Sequence, residues 1–118
     1  MRSKNLLPQL SFSILLALSL KPRHGYEIMQ QVKDDSEGKI TIGPGSLYTA
    51  IKQLSDEQLI EEVPEAHDRR KYYRLTNKGK KRLGTELDYF NASVQLAKQR
   101  NVFESFRGVV WVTWKTVF

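Results

Sequence analysis

Gly43-Pro44-Gly45 stands directly ahead of "SLYTAIKQL", and this break constrains the fold more than any other stretch of the chain. Proline suits the first position of a helix, because its missing N–H would have no partner there, and glycines on either side allow a tight entry. A helix therefore starts near Pro44. At 100° per residue, Leu47, Ala50, Ile51 and Leu54 gather into one apolar stripe, while Gly45, Thr49 and Lys52 point the opposite way with Tyr48 on their flank. A helix that presents Gly, Ser, Thr, Tyr and Lys at its start has the chemistry to enter a DNA groove. Its leading N–H groups and dipole favour phosphate, and its first-turn side chains reach base edges.

Two helical patterns precede it. Pro8 can open a helix whose apolar run, "FSILLALSL", extends to Leu20 and ends at Lys21, Pro22 and Arg23. Arg2 and Lys4 ahead of that run resemble the start of a signal peptide, but "KPRHGYE" follows instead of a small-residue cleavage site, and the run is too short to span a bilayer. It reads as a buried first helix. From Gly25, "GYEIMQQVKDD" sets Tyr26, Ile28, Met29 and Val32 mostly on one side of a second helix.

After the third helix, "LIEEVP" and "RRKYYRLT" alternate in the manner of strands and are joined by the polar "EAHD", which predicts a small β-hairpin. Its second strand begins with Arg69, Arg70 and Lys71, so the tip is cationic, whereas Glu61, Glu62 and Glu65 fall on the first. Of Tyr72 and Tyr73, one must point inward. Residues 67–82 hold eight Lys and Arg against one Asp, a net of +7; the whole chain is +6, so the remainder carries −1. Three helices, the third exposed, followed by a basic hairpin is the winged helix-turn-helix order, in which the wing touches the sugar–phosphate backbone.

"LKPRHGYEI", "GPGSLYTAIKQLSDEQLIEE" and "RRKYYRLTNKGKKRL" together resemble the motifs of the PadR-like transcriptional regulators, in the same order and at similar spacing over about residues 10–83. The resemblance implies a homodimeric winged-helix repressor with its third helix in the major groove. By position it sets Ser46, Tyr48, Thr49 and Lys52 on the recognition helix and Arg69, Arg70 and Lys71 on the wing. One residue departs from the pattern: Gln58 stands where the family usually has glycine, at the end of the third helix. Either the turn differs, or a non-glycine residue is held in a left-handed conformation at roughly 1–2 kcal/mol.

Other residues have bland readings beside the functional ones. Tyr48 either contacts DNA or packs on the second helix. His24 begins the second helix rather than binding a ligand, and His67 sits in the hairpin loop. Lys78, Lys80, Lys81 and Arg82 cluster at a helix start, the unfavourable end of its dipole for cations.

Thr76 is placed to cap a long C-terminal helix in which Leu83, Leu87, Phe90, Val94 and Ala97 are spaced by four and three, with a parallel row at Tyr89, Leu96 and Phe103. This stripe is wider than one small core can cover, so its surplus should meet a second subunit. The expected division is a DNA-binding domain over residues 1–76 and a dimerisation helix and tail over 77–118. In the tail, Trp111 and Trp114 pack over the dimer or line a cavity for a small, flat aromatic effector.

Zero cysteines exclude disulfides and thiolate metal sites, and two isolated histidines leave little for metal binding; a reducing cytoplasm agrees with this. No nucleophile has a neighbouring base and no glycine loop cradles phosphate, so neither an enzyme nor a cofactor is expected. A winged-helix module that binds another protein or structured RNA is the rival. It would expose Leu or Phe on the third helix, whereas Thr49, Lys52 and Gln53 supply hydrogen-bonding groups there. The expectation is thus a mainly α fold with a small β-hairpin, a winged helix-turn-helix plus a C-terminal dimerisation helix. Its partners would be double-stranded DNA and a second copy of itself, with no membrane.

Overall fold

Pro8, extended at φ −56 and ψ 151, turns the N-terminal lead into helix α1, Gln9–Ala17, in a computed structural model that describes residues 5–64 and 69–106. The helix stops short of Leu20, which is exposed. Pro22 disfavours helical backbone at Lys21, and the last carbonyls find other donors. Ser19 gives its N–H and Oγ to Leu16 O at 3.1 and 2.6 Å, and Arg23 Nε reaches Ala17 O at 2.9 Å.

Arg23–His24 forms a two-residue strand, β1, that the sequence pattern does not reveal. His24 then caps α2, Gly25–Asp35, in a reciprocal box: its Nδ1 accepts from Glu27 N–H at 3.4 Å, and Glu27 Oε1 accepts from His24 N–H at 3.2 Å. Ile28 and Val32 are buried as their spacing predicts, but Tyr26 faces solvent. Two residues amount to 200° of helix, which sets Tyr26 opposite Ile28.

Helix α3, Pro44–Asp56, starts with Pro44 at its first turn and buries Leu47, Ala50, Ile51 and Leu54. It ends in a Schellman turn. Leu59 N–H donates to Leu54 O and Gln58 N–H to Ser55 O, both at 2.9 Å, with Gln58 left-handed at φ 62. The turn is therefore the one glycine would make, held here by a residue with a side chain. Burial of Leu54 and Leu59, each 1% exposed, anchors both ends of it.

Strands β2, Ile60–Val63, and β3, Tyr72–Leu75, pair antiparallel in the register Ile60↔Leu75 to Val63↔Tyr72. With β1 on the other side of β3, the expected hairpin is a three-stranded sheet of order β1-β3-β2. Arg69, Arg70 and Lys71 precede β3 rather than opening it, because ladder pairing begins only at Tyr72. Tyr73 is the inward tyrosine, and Tyr72 meets the His24 ring edge-on at 5.2 Å.

Helix α4, Asn77–Gln99, begins where Thr76 Oγ1 accepts from Gly79 N–H at 2.9 Å. Gly79 is pressed against the chain reversal before β2, and a Cβ there would collide with the Leu59 carbonyl oxygen. The core gathers Ile14, Leu15, Ile28, Leu47, Leu54, Ile60 and their neighbours, and Leu83 closes it.

The chain divides between Glu86 and Leu87 into two compact units. The first contains α1 to α3, the sheet and the opening turns of α4. There Glu86, only 2% exposed, receives Arg82 Nε at 3.3 Å and Leu7 N–H at 3.0 Å, while an Arg82 terminal nitrogen donates to Asn5 O at 3.0 Å. The second holds the rest of α4 and a short helix α5, Val102–Ser105, reached through Asn101 at φ 57. Phe103 thus lies on α5 and does not continue the Tyr89 and Leu96 row. The hairpin loop with Glu65 and His67, and the tail with Trp111 and Trp114, lie outside the described residues.

Candidate nucleic-acid interface

Opposite its buried stripe, α3 presents Ser46, Tyr48, Thr49, Lys52 and Gln53, all exposed. The arrangement follows from helical spacing alone, since the core side is filled by Leu47, Ala50, Ile51 and Leu54. No acidic residue occupies the first turn, so the N-terminal dipole is uncompensated there. Arg69, Arg70 and Lys71 are exposed on the approach to β3, a second cationic surface in the same unit.

Tyr48 has a mixed environment. It is 53% exposed, yet its hydroxyl stands 2.6 Å from where a Cβ on Gly25 would be. The bare backbone of Gly25 is what lets the phenol lie over the start of α2. Tyr48 therefore packs on the second helix while part of its ring stays open to solvent.

Lys52 is not an isolated cation. Its Nζ holds Asp56 Oδ2 at 3.0 Å, one turn on, and both side chains are largely exposed, so the pair is weak. This partner was legible from the spacing of four residues. Of the cations at the start of α4, Lys78 Nζ donates to Glu57 O at 3.0 Å, at the C-terminal end of α3, and Arg82 is engaged with Glu86. Those two charges have structural partners, which relieves the unfavourable dipole without any bound anion.

On the sheet, Arg74 Nε pairs with Glu61 Oε2 across the ladder at 2.8 Å. Burial raises the pKa of the Tyr73 phenol above its ordinary value, and the charge of Glu62 and the neighbouring Tyr48 push it in the same direction. Alternation along β2 sets Glu62 on the same face as Ile60, opposite Tyr73, a placement the strand pattern already contained.

In the second unit, Leu87 and Phe90 are 42% and 40% exposed, Tyr89 and Leu96 are also open, and Val94 and Ala97 are half-buried. Leu83 does not belong with them. At 6% exposure it is part of the core, because the first turns of α4 pack against the turn around Leu59 before the helix leaves that unit. Among the described residues, no helix is long and apolar enough to cross a membrane and no cluster of His, Asp and Glu could hold a metal.

Three helices, the third with an exposed polar side, and a three-stranded sheet make up a winged helix-turn-helix fold. Residues 14–85 match the model of the PadR-like transcriptional regulator family, and the chain belongs to that family, whose members are regulators rather than enzymes. An uncharacterised protein of Lysinibacillus sphaericus is 37% identical over 73 residues, which cover 58% of this chain and 66% of that relative, just under two thirds of its length. A PadR family transcription regulator from Clostridium difficile superposes with a TM-score of 0.67 at 27% identity, covering 78% of this chain and 97% of its own. A PadR-like regulator from Bacillus cereus gives 0.66 at 25% identity, over 76% and 88%.

Proposed function

We propose that the protein is a homodimeric, sequence-specific repressor that occludes an inverted-repeat operator. The observation that carries this reading is the outward strip of α3, Ser46, Tyr48, Thr49, Lys52 and Gln53, five hydrogen-bonding side chains on a helix whose other side is core. Such a strip suits base edges in the major groove, where apolar side chains would suit a protein partner. Arg69, Arg70 and Lys71 then hold the sugar–phosphate backbone, fixing register without reading sequence.

Residues 1–76 serve DNA binding in this reading, and 77–118 serve subunit association, through Leu87, Phe90, Val94 and Ala97. Half-exposed Leu and Phe on one helix favour a covered surface. The cytoplasm is the compartment where such a protein works. Incubating the purified protein with a pool of genomic fragments and sequencing what it retains tests the proposal. Enrichment of a two-fold symmetric sequence is expected, and retention that is indifferent to sequence would refute specific reading.

A further inference from the structure

Gly25 is the first residue of α2 and has no positive φ, so the backbone there would accept an alanine. Its surroundings would not do so freely. A Cβ would stand 2.6 Å from the Tyr48 hydroxyl oxygen, and 3.2 Å from both Tyr48 Cζ and Leu47 Cδ2. The nearest of these atoms is the far end of a side chain that is 53% exposed, so a methyl group is accommodated by swinging the phenol outward. The two contacts at 3.2 Å ask only for a few tenths of an ångström. What the missing Cβ protects is thus the position of the Tyr48 ring, more than the core beneath it. The Tyr48 hydroxyl has no hydrogen-bond partner among the described residues, and it belongs to the outward strip of α3. Lys52, on the same strip, is steered only by its exposed pair with Asp56.

We propose that Gly25 is a positioning residue for DNA binding: its bare Cα seats the Tyr48 ring against the start of α2 and so holds a free hydroxyl ready to donate to the duplex. The inference rests on the proposed function and adds to it a residue outside both the recognition helix and the wing. A ring braced on one side has less freedom to lose when DNA arrives than one that the contact itself must order, and the difference appears as affinity. Gly25 touches no DNA in this account. It acts through Tyr48 alone, so its effect must vanish when the Tyr48 hydroxyl is gone.

A double-mutant cycle on the full chain tests this, with affinity for a retained genomic fragment read by fluorescence anisotropy. Tyr48→Phe should weaken binding about three- to tenfold, the scale of one lost hydrogen bond, and Gly25→Ala by a similar factor. Gly25→Ala made in the Tyr48→Phe background should change affinity by less than about twofold, because the displaced group is already absent. NMR without DNA supplies a readout of the seat itself: Gly25→Ala should shift the Tyr48 ring protons, assigned by comparison with Tyr48→Phe. Unmoved ring protons, wild-type affinity in either single variant, or the same factor lost in both backgrounds would each overturn the proposal, the last by assigning the effect to packing on Leu47. A Gly25→Ala protein that does not fold overturns it on the same ground. A wild type that retains no DNA defeats the proposed function and this role together, whereas a wild type that binds DNA and a Gly25→Ala variant that binds it equally well defeat this role alone.

Discussion

The Thr76 hydroxyl donates to the Gln58 carbonyl oxygen at 2.6 Å while accepting the Gly79 N–H at 2.9 Å, so one side chain joins the turn after α3 to the start of α4. The Thr76 N–H adds a bond to Leu59 O at 3.1 Å. The left-handed Gln58 is thereby held from outside its own turn. Gln58→Gly should relieve strain and raise unfolding free energy by about 0.5–1 kcal/mol, less than the full conformational penalty because glycine also loosens the unfolded chain. Gln58→Val should lower stability. Urea unfolding of the three proteins at equal m-value is the measurement.

At Gly79 the opposite change is forbidden. A methyl group would meet the Leu59 carbonyl, a backbone atom that cannot rotate away. Gly79→Ala should cost about 2–3 kcal/mol, the upper range for overpacking, whereas Gly84→Ala, with open space around it, should stabilise α4 by about 0.5–1 kcal/mol. Thermal unfolding of both variants compares them, and equal effects would contradict the packing described.

Tyr73 makes stability depend on alkaline pH. Its folded pKa lies above the ordinary 10.0, so the unfolded chain releases the phenolic proton first. The contribution is fully present below pH 10 and is lost as pH rises through the folded value. Tyr73→Phe should flatten the decline of stability above pH 10, read by denaturant titrations at pH 8 and 11.

DNA affinity should fall with salt. If the wings and recognition helices of a dimer neutralise about six to ten phosphates, log affinity against log salt has a slope of roughly −5 to −9. Arg70→Ala or Lys71→Ala should flatten it by about one unit per contact and weaken operator and random duplex alike. Lys52→Ala and Thr49→Ala should instead reduce discrimination between them by about 1–3 kcal/mol. Fluorescence anisotropy at several salt concentrations separates the two behaviours.

The apolar stripe beyond Glu86 should hold the dimer, with operator half-sites about 10 or 20 base pairs apart. Phe90→Glu would bury a carboxylate at the interface and cost several kcal/mol. Light scattering should find a wild-type dimer and a monomeric variant that has lost operator affinity. A dimeric Phe90→Glu that still binds would move the interface elsewhere.

Much of this architecture was legible because the residues that build it are periodic. Pro44 marks the start of α3, the Leu47-Ala50-Ile51-Leu54 stripe its buried side, and Thr76 announces α4. Strand β1 was hidden because two residues, Arg23 and His24, are too few to show any alternation. Glu86 was hidden for a different reason. A carboxylate on a helix reads as a solvated group, and although Arg82 one turn earlier is a visible partner, only the arrival of the Leu7 N–H from the far end of the chain explains its burial. Leu83 was assigned to a partner surface because its spacing continues that of Leu87, and spacing along one helix cannot tell where the covering element changes.

The bond from Leu7 to Glu86 spans 79 residues, and it ties the lead into the first helix to the opening turns of the last long one. During synthesis at about 5–20 residues per second, the Leu7 amide and the Asn5 carbonyl wait about 4–16 s for the residues that satisfy them. The three helices and the wing will all have left the ribosome by then. Final closure of the domain is therefore deferred until α4 emerges, and a nascent chain halted at Thr76 would hold every exposed side chain of α3 while its N-terminal lead remained undocked.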